Sequence, residues 1–445
     1  MRDVRMRGFA KRADVEDVER FLAEHTQVLP PEDVPLLECA GRVLARPVTA
    51  STAVPSFDRS AMDGYAVRGA DTFGASVYDP IRFRLAGESL PGRPCPARLE
   101  EGEAVRIMTG APLPEGADAV VMAEVCEEAD GFVAIRDAVA PRKNVSALGE
   151  DVGKGDVLLS PGRRLRPQDA ALIASVGIAL VPCVRRPRVR LVVTGDELLP
   201  AGSQPEGVRI VDSNSVMLRA LVERDGGVCL PFEILPDRAE VIREALAAGG
   251  ADVVLVSGGS SVGQEDHAPR LLAEAGTLDF HGVAMRPSSP AGLGRIGPGA
   301  NAGAPVGGDG AVRFVFLLPG NPVSCLCAYD FFAGPTLRTL GGRLRAWPHR
   351  RVELPLARKI SSALGRTDYV RVGIEEGRVV PLATSGASIL SSAVRADGFV
   401  IVPRDTEGYP EWAKVEVRLY DDVDVARALE KRGAPAGVGP VGGVQ

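Results

Sequence analysis

Three glycine-rich segments, each directly after a predicted buried strand, contain residue types that bind phosphate and metal ions. They read TGDE at residues 194–197, SGGSSVGQED at 257–266 and LPGNPVS at 318–324. Glycine lets a backbone approach a ligand closely, and free N–H groups before a helix bind oxyanions. Carboxylates beside such a loop repel phosphate unless a divalent cation lies between them, so Glu197 and Asp266 are candidate Mg²⁺ ligands. Ordinary turn glycines and helix-capping carboxylates explain any one loop better than they explain three on one sheet.

A second group of polar turns lies in the first half of the chain. It comprises PSFDRSAMDGYA at residues 55–66, RIMTGAP at 106–112 and GED at 149–151. Taken singly, Asp63 and Asp151 are explained as turn-forming aspartates. They are interpreted as site residues only because the other motifs occur in the same chain.

Composition and missing motifs disfavour several classes of protein. The 52 basic and 58 acidic side chains give a net charge of −6, whereas a non-specific nucleic-acid binder is normally basic. The absence of a Walker A lysine motif, and of G-x-G-x-x-G after a strand, disfavours Walker-type kinases and Rossmann dehydrogenases. The charged N-terminus has no apolar signal segment, and the longest apolar stretch, near 170–184, is too short to span a membrane. We expect a cytoplasmic protein without nucleic-acid or membrane partners, whose seven cysteines are free thiols.

The elements that must position the three loops alternate between strand and helix. Strands are predicted at 189–194, 228–235, 252–257 and 314–318, and helices at 213–224, 238–248, 266–275 and 322–340. This alternation indicates βαβ units and a mostly parallel sheet, in which ligands bind at the carboxyl ends of the strands. Short strand patterns predict β modules on either side, at about 48–139 and 351–419. Among the strands predicted there are 132–135, 351–355, 398–402 and 414–419. The low-complexity segment 297–311 predicts a flexible surface loop.

At these residues the chain closely resembles the molybdopterin molybdenumtransferase family, which includes the E domain of gephyrin. The matching motifs are PSFDRSAMDGYAV (55–67), RIMTGAPLPEGADAVV (106–121), GED (149–151), TGDEL (194–198), SGGSSVGQEDH (257–267) and LPGNPVS (318–324). The resemblance implies a multidomain fold of the α/β plus β class. Its four domains are a discontinuous helical N-terminal domain (1–47 and 142–184), an inserted β domain (48–141), a central molybdopterin-binding-like α/β domain with a mostly parallel sheet (185–345) and a C-terminal β-barrel (346–425). The composition of the C-terminus, rich in glycine, proline and valine, separately predicts a disordered tail (426–445).

The same resemblance implies a reaction and an assembly. Molybdate and adenylylated molybdopterin are converted to molybdenum cofactor, with Mg²⁺-dependent release of AMP. The enzyme is implied to be an elongated homodimer, whose active site lies between the α/β domain of one subunit and the β domain of the other. Transient contact with other proteins of molybdenum cofactor biosynthesis is also implied.

Motif position implies a role for each site residue. The residues implied to face the neighbouring subunit's cleft are Asp63, Thr109 and Asp151, and those implied to hold Mg²⁺ are Glu197 and Asp266. Asp196 and Asp237 are implied to support substrate binding in the catalytic site. The implied cradle for the adenylylated pterin consists of Gly258, Gly259, Ser260, Pro319, Asn321, Pro322 and Ser324. The implied oxyanion pocket consists of Arg286, Ser324, Arg371 and Ser388.

The chain departs from the family in the implied oxyanion pocket. The family usually reads K-P-G-K-P where residues 286–290 read RPSSP, so Arg286 keeps the first charge and Ser289 loses the second. Gly282 stands where the bacterial enzymes commonly have a lysine. Fewer cations predict weaker oxyanion capture, which leaves open a paralogue of the same fold with an altered anion or ligand, for example tungstate. A non-enzymatic scaffold is the other alternative, because gephyrin's E domain also clusters receptor tails.

Overall fold

The computed structural model describes residues 12–259, 267–303, 306–307, 312–383 and 386–421. They form two compact units, one of residues 33–183 and the other of residues up to 32 together with those from 184 onward. Ser260, Asp266 and the predicted tail lie outside the described residues, as does part of the predicted loop at 297–311. None of the helices in the described ranges is long and apolar enough to cross a membrane.

The unit of residues 33–183 contains a six-stranded sheet where short strand patterns predict β structure. In spatial order its strands are Ala119–Met122, Gly64–Val67, Glu103–Ile107, Ile81–Ser89, Phe132–Ile135 and Cys126–Ala129. Neighbours are antiparallel except for the parallel pair formed by Ile81–Ser89 and Glu103–Ile107. Ala66 and Val67 are neighbours in one strand but belong to different core clusters, so both faces of the sheet bury apolar side chains.

The rest of this unit consists of short elements around a separate core. Its α-helix is Pro167–Ser175. The 3-10 turns are Leu36–Glu38, Gly69–Thr72 and Ala123–Val125. The short strands of this unit or at its border are Pro31–Pro35, Val48–Thr49, Arg59–Ser60, Val145–Ser146, Val157–Leu159 and Leu180–Val184. Leu44 packs with Ile173 and Cys183. Segments that precede and follow the six-stranded sheet in the sequence therefore share this core. The boundaries of the discontinuous domain stay a prediction.

A buried aspartate, Asp169, orders the start of the helix Pro167–Ser175. Its carboxylate accepts hydrogen bonds from the Arg163 guanidinium at 2.8 and 2.9 Å and from the Arg166 backbone N–H at 2.9 Å. The Arg163 side chain is the main reason that the pKa of Asp169 lies well below its ordinary value of 3.8. We expect Asp169→Asn to lower the free energy of unfolding by about 1–2 kcal/mol at neutral pH, as measured by denaturant unfolding.

The sign of the pKa shift predicts how this effect depends on pH. A carboxylate with a depressed folded-state pKa stabilises the protein above its unfolded pKa, and that contribution is lost as the pH falls through the folded-state value. The difference between wild type and Asp169→Asn should therefore shrink progressively below about pH 4. Glu115→Gln is the control, because Glu115 forms only an exposed ion pair with Arg98. If the difference in the free energy of unfolding between wild type and Asp169→Asn does not change with pH, the stabilisation does not come from the ionised carboxylate of Asp169.

The other unit contains a seven-stranded sheet, and its parallel part confirms the predicted βαβ units. The spatial order is Val228–Cys229, Arg188–Thr194, Val253–Ser257, Arg313–Leu318, Gly292–Ile296 and Gly276–His281, with Ile234–Leu235 also paired to Arg188–Thr194. Pairing is parallel as far as Arg313–Leu318. The last two strands form an antiparallel edge that the sequence analysis did not predict. The sheet is therefore mixed, with a parallel part and an antiparallel edge.

Helices cover this sheet and explain why every residue of its central strand is buried. The α-helices of this unit outside the C-terminal region are Val15–His25, Asn214–Arg224, Ala239–Ala247, Ala268–Ala275, Pro322–Ala328 and Gly334–Leu340, and a π-helical turn at Tyr329–Ala333 joins the last two. All five residues of Val253–Ser257 are buried, as expected for a parallel strand covered on both faces. Ile242 and Leu271, from two of the helices, pack in the same cluster as Val254.

The C-terminal region forms a second mixed sheet of six strands. Its order is Met285–Arg286, Thr367–Glu375, Gly398–Val402, Lys414–Leu419 and Arg351–Pro355, with Arg378–Ala383 also paired to Thr367–Glu375. The remaining short elements of the unit are Leu198–Leu199, Ile210–Val211, Ala300–Ala302, Ile360–Ser361, Leu390–Val394 and Gly408–Tyr409. An isolated bridge between Leu356 and Val379 joins two ends of the sheet. The β-barrel stays a prediction.

Candidate active site

The three glycine-rich segments predicted from the sequence begin at one edge of the parallel sheet. Val193 is paired with Ser257, and Ser257 is paired with Leu318. Because the strands are parallel, the loops that follow them leave the sheet side by side at its carboxyl edge. This edge is where open α/β sheets bind ligands, so the predicted grouping is present in the described part of the loops.

Two consecutive glycines let the middle loop turn close to its neighbour. Gly258 and Gly259 have φ angles of +100° and +57°, in the left-handed region that favours glycine. A Cβ atom on Gly258 would lie 2.4 Å from the carbonyl oxygen of Thr194. A Cβ atom on Gly320, in the third loop, would lie 3.9 Å from the Cα of Gly258. The three loops are therefore in close proximity, and the backbone of the middle one has no room for a side chain at Gly258.

Asn214, which the sequence analysis missed, ties two of these loops together. Its Nδ2 donates hydrogen bonds to the Ser257 Oγ at 3.0 Å and to the Gly320 carbonyl oxygen at 2.8 Å. Asn214 Oδ1 and Thr194 Oγ1 are both buried, and neither has a hydrogen-bond partner in the described ranges. Buried polar atoms without partners are uncommon in native structures. We therefore add Asn214 and Thr194 to the candidate site, as buried polar residues next to the three glycine-rich loops.

The side chain before the helix Asn214–Arg224 does not cap it, although serine commonly caps helices. Ser213 makes no side-chain capping bond. The Asp212 carboxylate instead accepts a hydrogen bond from the Ser215 backbone N–H at 3.1 Å. The polar triplet at 212–214, which spans the start of this helix, is the sequence signal that points to Asn214, but it also fits an ordinary cap.

The acidic residues after the first strand are exposed. Asp196 Oδ1 accepts a hydrogen bond of 3.3 Å from the backbone N–H of Asp237, so the structure brings these two predicted residues together. The Glu197 carboxylate lies over Gly195, where a Cβ atom would meet its two oxygens at 2.7 and 2.8 Å. Within the described residues no group of three or more His, Cys, Asp or Glu is placed to hold a metal ion. Asp266, the second predicted Mg²⁺ ligand, and Ser260 lie outside those residues.

The segment 286–290 contacts the third loop through a serine. The Ser288 Oγ donates a hydrogen bond of 2.5 Å to the carbonyl oxygen of Ser324, which is buried near the start of the helix Pro322–Ala328. Ser288 has a φ of +89°, a left-handed conformation that non-glycine residues rarely adopt. Pro319 is buried, whereas Asn321 is exposed and Pro322 is half-buried. The segment that contains Arg286 therefore lies against the third loop at Ser324.

Arg286 already has an ionic partner. Its guanidinium forms an ion pair with Asp368, whose side chain is 1% exposed. The strand Met285–Arg286 pairs with Thr367 and Asp368, which explains the contact. The Oγ of Ser289 is buried and has no hydrogen-bond partner among the described residues. The sequence predicts a cation at Arg286, and in the structure this cation is part of an ion pair.

Arg371 and Ser388 occupy contrasting environments. Arg371 is 1% exposed and lies near Cys327. Burial raises the pKa of the Cys327 thiol, and the positive charge of Arg371 partly opposes this rise. Ser388 is exposed, and the adjacent Ala387 carbonyl oxygen accepts a hydrogen bond of 3.0 Å from the Val323 backbone N–H. Ser388 therefore lies beside the third loop, and the assignment of Arg371 to an oxyanion pocket stays a prediction.

In the unit of residues 33–183, Asp63 and Thr109 form a compact pair. Asp63 Oδ1 accepts hydrogen bonds from the Thr109 backbone N–H at 2.7 Å and from its hydroxyl at 2.8 Å. These donors, the backbone N–H foremost, lower the pKa of Asp63 below its ordinary value. The carboxylate is thus held ionised and exposed, in a state suited to accept hydrogen bonds or to face a cation.

Asp58 connects the first polar motif to the motif that contains Asp151. Its carboxylate accepts hydrogen bonds of 2.7 Å from the Leu148 backbone N–H and from the Arg142 guanidinium. The Arg142 side chain is the main cause that lowers the pKa of Asp58. Asp151 is exposed, and its backbone N–H donates to the Val54 carbonyl oxygen at 3.1 Å. The motifs at 55–67 and 149–151 therefore lie side by side, although the sequence analysis did not single out Asp58.

Three family descriptions match consecutive parts of the chain. Residues 13–177 match "MoeA N-terminal region (domain I and II)", residues 190–339 match "Probable molybdopterin binding domain" and residues 353–420 match "MoeA C-terminal region (domain IV)". Molybdopterin molybdenumtransferase of Haemophilus influenzae is 34% identical over 381 residues, which cover 83% of this chain and 89% of the relative. The chain belongs to the molybdopterin molybdenumtransferase family.

Other members of the molybdopterin molybdenumtransferase family agree in extent and fold. The enzyme of that name from Bacillus subtilis is 34% identical over 402 residues, covering 87% of this chain and 89% of the relative. Two crystal structures of a molybdopterin biosynthesis protein from Pyrococcus horikoshii superpose with TM-scores of 0.76 and 0.70. Each is 32% identical and covers 92% of this chain and 100% of the solved chain. The multidomain architecture is therefore that of the family.

Proposed function

We propose that this protein is a molybdopterin molybdenumtransferase, which inserts molybdenum into molybdopterin. The observation that carries the proposal is the meeting of three glycine-rich loops at the carboxyl edge of the parallel sheet, in a chain that belongs to this family. In finer detail, we propose adenylylated molybdopterin and molybdate as the substrates and AMP as the released product. These finer statements follow from the motif positions and the chemistry of the loops.

The described residues supply binding and orientation for this reaction. The left-handed turn at Gly258 and Gly259 keeps side chains away from the backbone, so a phosphate group can approach its N–H donors. Asn214 holds the Gly320 carbonyl against Ser257 and thereby fixes the relative position of two loops. Arg286, two residues before the serine that bonds to Ser324, contributes positive charge for a molybdate oxyanion in this proposal.

The exposed carboxylate at the first loop is a donor of the type that Mg²⁺ prefers. Magnesium commonly uses one or two carboxylates, with substrate phosphates and water completing its octahedron. Glu197 offers an exposed carboxylate at a loop of this kind. A bound Mg²⁺ would neutralise charge on the phosphates of the adenylylated substrate. We therefore propose Glu197 as a magnesium ligand, together with Asp266 from the motif position.

Glu197→Gln is expected to raise the Mg²⁺ concentration needed for half-maximal AMP release by about tenfold or more, because a neutral amide is a weaker ligand than a carboxylate for a hard cation. The measurement is a magnesium titration of molybdate-dependent AMP release. Glu206→Gln is the matched control, because Glu206 is another exposed acid in the same region of the chain. Overlapping titrations for wild type and Glu197→Gln would remove Glu197 from the magnesium site.

The direct test of the proposed function uses the purified full-length protein with adenylylated molybdopterin and Mg²⁺. We expect AMP release to require molybdate and the product to reconstitute a cofactor-free molybdoenzyme. Tungstate in place of molybdate tests the altered-anion alternative that residues 286–290 suggest. Absence of AMP release with either anion would reject the proposal.

We further propose that two copies of the chain share each active cleft. The proposal rests on the implied roles of Asp63 and Thr109, whose carboxylate and hydroxyl are paired and exposed. Neither Asp63→Ala nor Glu197→Ala homodimers should be active, whereas mixed dimers should regain part of the wild-type rate because one intact cleft is assembled. The measurement is AMP release by purified mixed dimers, and inactive mixed dimers would reject a shared cleft.

A further inference from the structure

We propose that Arg366 is a binding residue for the oxyanion and supplies the second positive charge of the pocket that contains Arg286. This inference rests on the proposed function, since it concerns how molybdate is held. The sequence analysis found one cation at 286–290 and none to replace the charge missing at Ser289. The structure brings a second arginine to the same carboxylate, from a distant part of the chain.

Arg286 and Arg366 approach Asp368 from two sides. The Arg286 guanidinium pairs with Asp368 Oδ2, and the Arg366 Nε lies 3.1 Å from Asp368 Oδ1. The Ser362 hydroxyl donates a further hydrogen bond of 2.8 Å to Oδ2. Oδ2 of Asp368 is thus hydrogen-bonded twice, whereas among the described residues Oδ1 makes only the ion-pair contact with Arg366. The buried carboxylate holds both guanidinium groups close together.

One carboxylate cannot neutralise two guanidinium groups, so this cluster keeps a net positive charge. The Arg286 and Arg366 side chains are 29% and 33% exposed, whereas Asp368 is 1% exposed. The positive groups are therefore nearer the solvent than the negative one. Each guanidinium has five N–H donors, and the Nε of each is buried and makes no hydrogen bond to the described residues. The surplus of charge and donors suits a tetrahedral dianion such as molybdate.

The cluster lies at the candidate site and is anchored to it by secondary structure. The strand Met285–Arg286 pairs in parallel with Thr367 and Asp368, directly after Arg366. Two residues beyond Arg286, the Ser288 hydroxyl bonds to the carbonyl oxygen of Ser324 in the third loop. The arginine pair is therefore held beside the loops that the proposed function assigns to the substrate.

The test measures molybdate binding directly, by equilibrium dialysis of the full-length protein with radioactive molybdate, alongside AMP release. Arg366→Gln removes the charge, and Arg366→Lys keeps it without the planar fork. Arg351→Gln is the matched control, because Arg351 is an arginine of the same C-terminal sheet that pairs with the exposed Glu416. Thermal unfolding of all variants reports any structural role of the ion pair.

We expect Arg366→Gln to weaken molybdate binding roughly 10- to 100-fold, Arg366→Lys to recover part of it and Arg351→Gln to match wild type. The molybdate concentration for half-maximal AMP release should rise in parallel, with little change for adenylylated molybdopterin. Equal affinity in Arg366→Gln and wild type, or equal losses in Arg366→Gln and Arg351→Gln, would overturn the inference. A wild-type protein that binds molybdate through Arg366 but releases no AMP would instead overturn the proposed function alone.

Discussion

Replacing Gly258 with alanine is expected to remove most of the molybdate-dependent release of AMP and to destabilise the protein. The new Cβ would lie 2.4 Å from the Thr194 carbonyl oxygen, on a residue with a φ of +100°. The left-handed backbone costs a non-glycine residue about 1–2 kcal/mol, and relieving the overlap costs about 1–3 kcal/mol more. Because Thr194 begins the first loop, the strain displaces one loop against another. A displacement of roughly 1 Å at a reacting site can reduce the rate about a hundredfold.

Gly250→Ala is a control that separates the free-energy cost of a left-handed backbone from the effect of the overlap with Thr194 on AMP release. Gly250 has a φ of +87°, but a Cβ atom there would meet nothing within 4 Å. We expect this control to lose only the backbone contribution to the free energy of unfolding and to keep the wild-type rate. The measurements are denaturant unfolding and AMP release at saturating molybdate. Wild-type activity in Gly258→Ala, or equal losses of activity in both variants, would show that the close approach to Thr194 is unimportant.

Strands with a regular apolar pattern were predicted well from the sequence. Phe132–Ile135, Arg351–Pro355, Gly398–Val402 and Lys414–Leu419 have the predicted bounds. In such strands side-chain alternation and β-branched residues agree with the final packing, so local sequence is sufficient. The segment 228–235 was predicted as one strand but forms two, Val228–Cys229 and Ile234–Leu235. Pro231 lies between them, and proline has no N–H to donate to a ladder.

The antiparallel edge of the central sheet was missed because its sequence is unlike that of a typical strand. Gly276–His281 and Gly292–Ile296 contain glycine, which lowers β-propensity. The structure explains these glycines by close backbone contact. A Cβ atom on Gly276 would lie 2.0 Å from the Arg295 carbonyl oxygen, and one on Gly294 would lie 2.0 Å from that of Thr277. The feature that disfavoured a strand prediction is the one that permits this pairing.

The candidate site was predicted where motifs mark it and missed where long-range pairing creates it. The glycine-rich loops are visible in sequence, because their residue types are unusual at strand ends. Asn214 donates to Gly320 across 106 residues, and Arg286 pairs with Asp368 across 82 residues. Local sequence does not predict such contacts, because each contact depends on which segments become neighbours in the fold. The sequence therefore indicated the ligand class of the site but not the state of its charges.

Arg286→Ala is expected to weaken molybdate binding about 10- to 100-fold, since a hydrogen bond to a charged group contributes about 1.5–3 kcal/mol. The same change should also lower the stability of the protein. Asp368 is almost fully buried, and it would keep only Arg366 and the Ser362 hydroxyl as partners. Removing one partner of a buried ion pair is destabilising because the remaining charge is less well compensated. Equilibrium dialysis of molybdate and denaturant unfolding measure the two effects.

The double variant Arg286→Ala with Asp368→Asn distinguishes the loss of an anion ligand from the loss of a structural contact. Replacing Asp368 by asparagine removes the undercompensated negative charge, so much of the lost stability should return. Molybdate affinity should stay low, because the guanidinium that would bind the anion is still absent. If the double variant recovers both stability and affinity, Arg286 acts only by supporting the strand pair formed by Met285–Arg286 with Thr367 and Asp368. The oxyanion would then have to be held by residues other than Arg286.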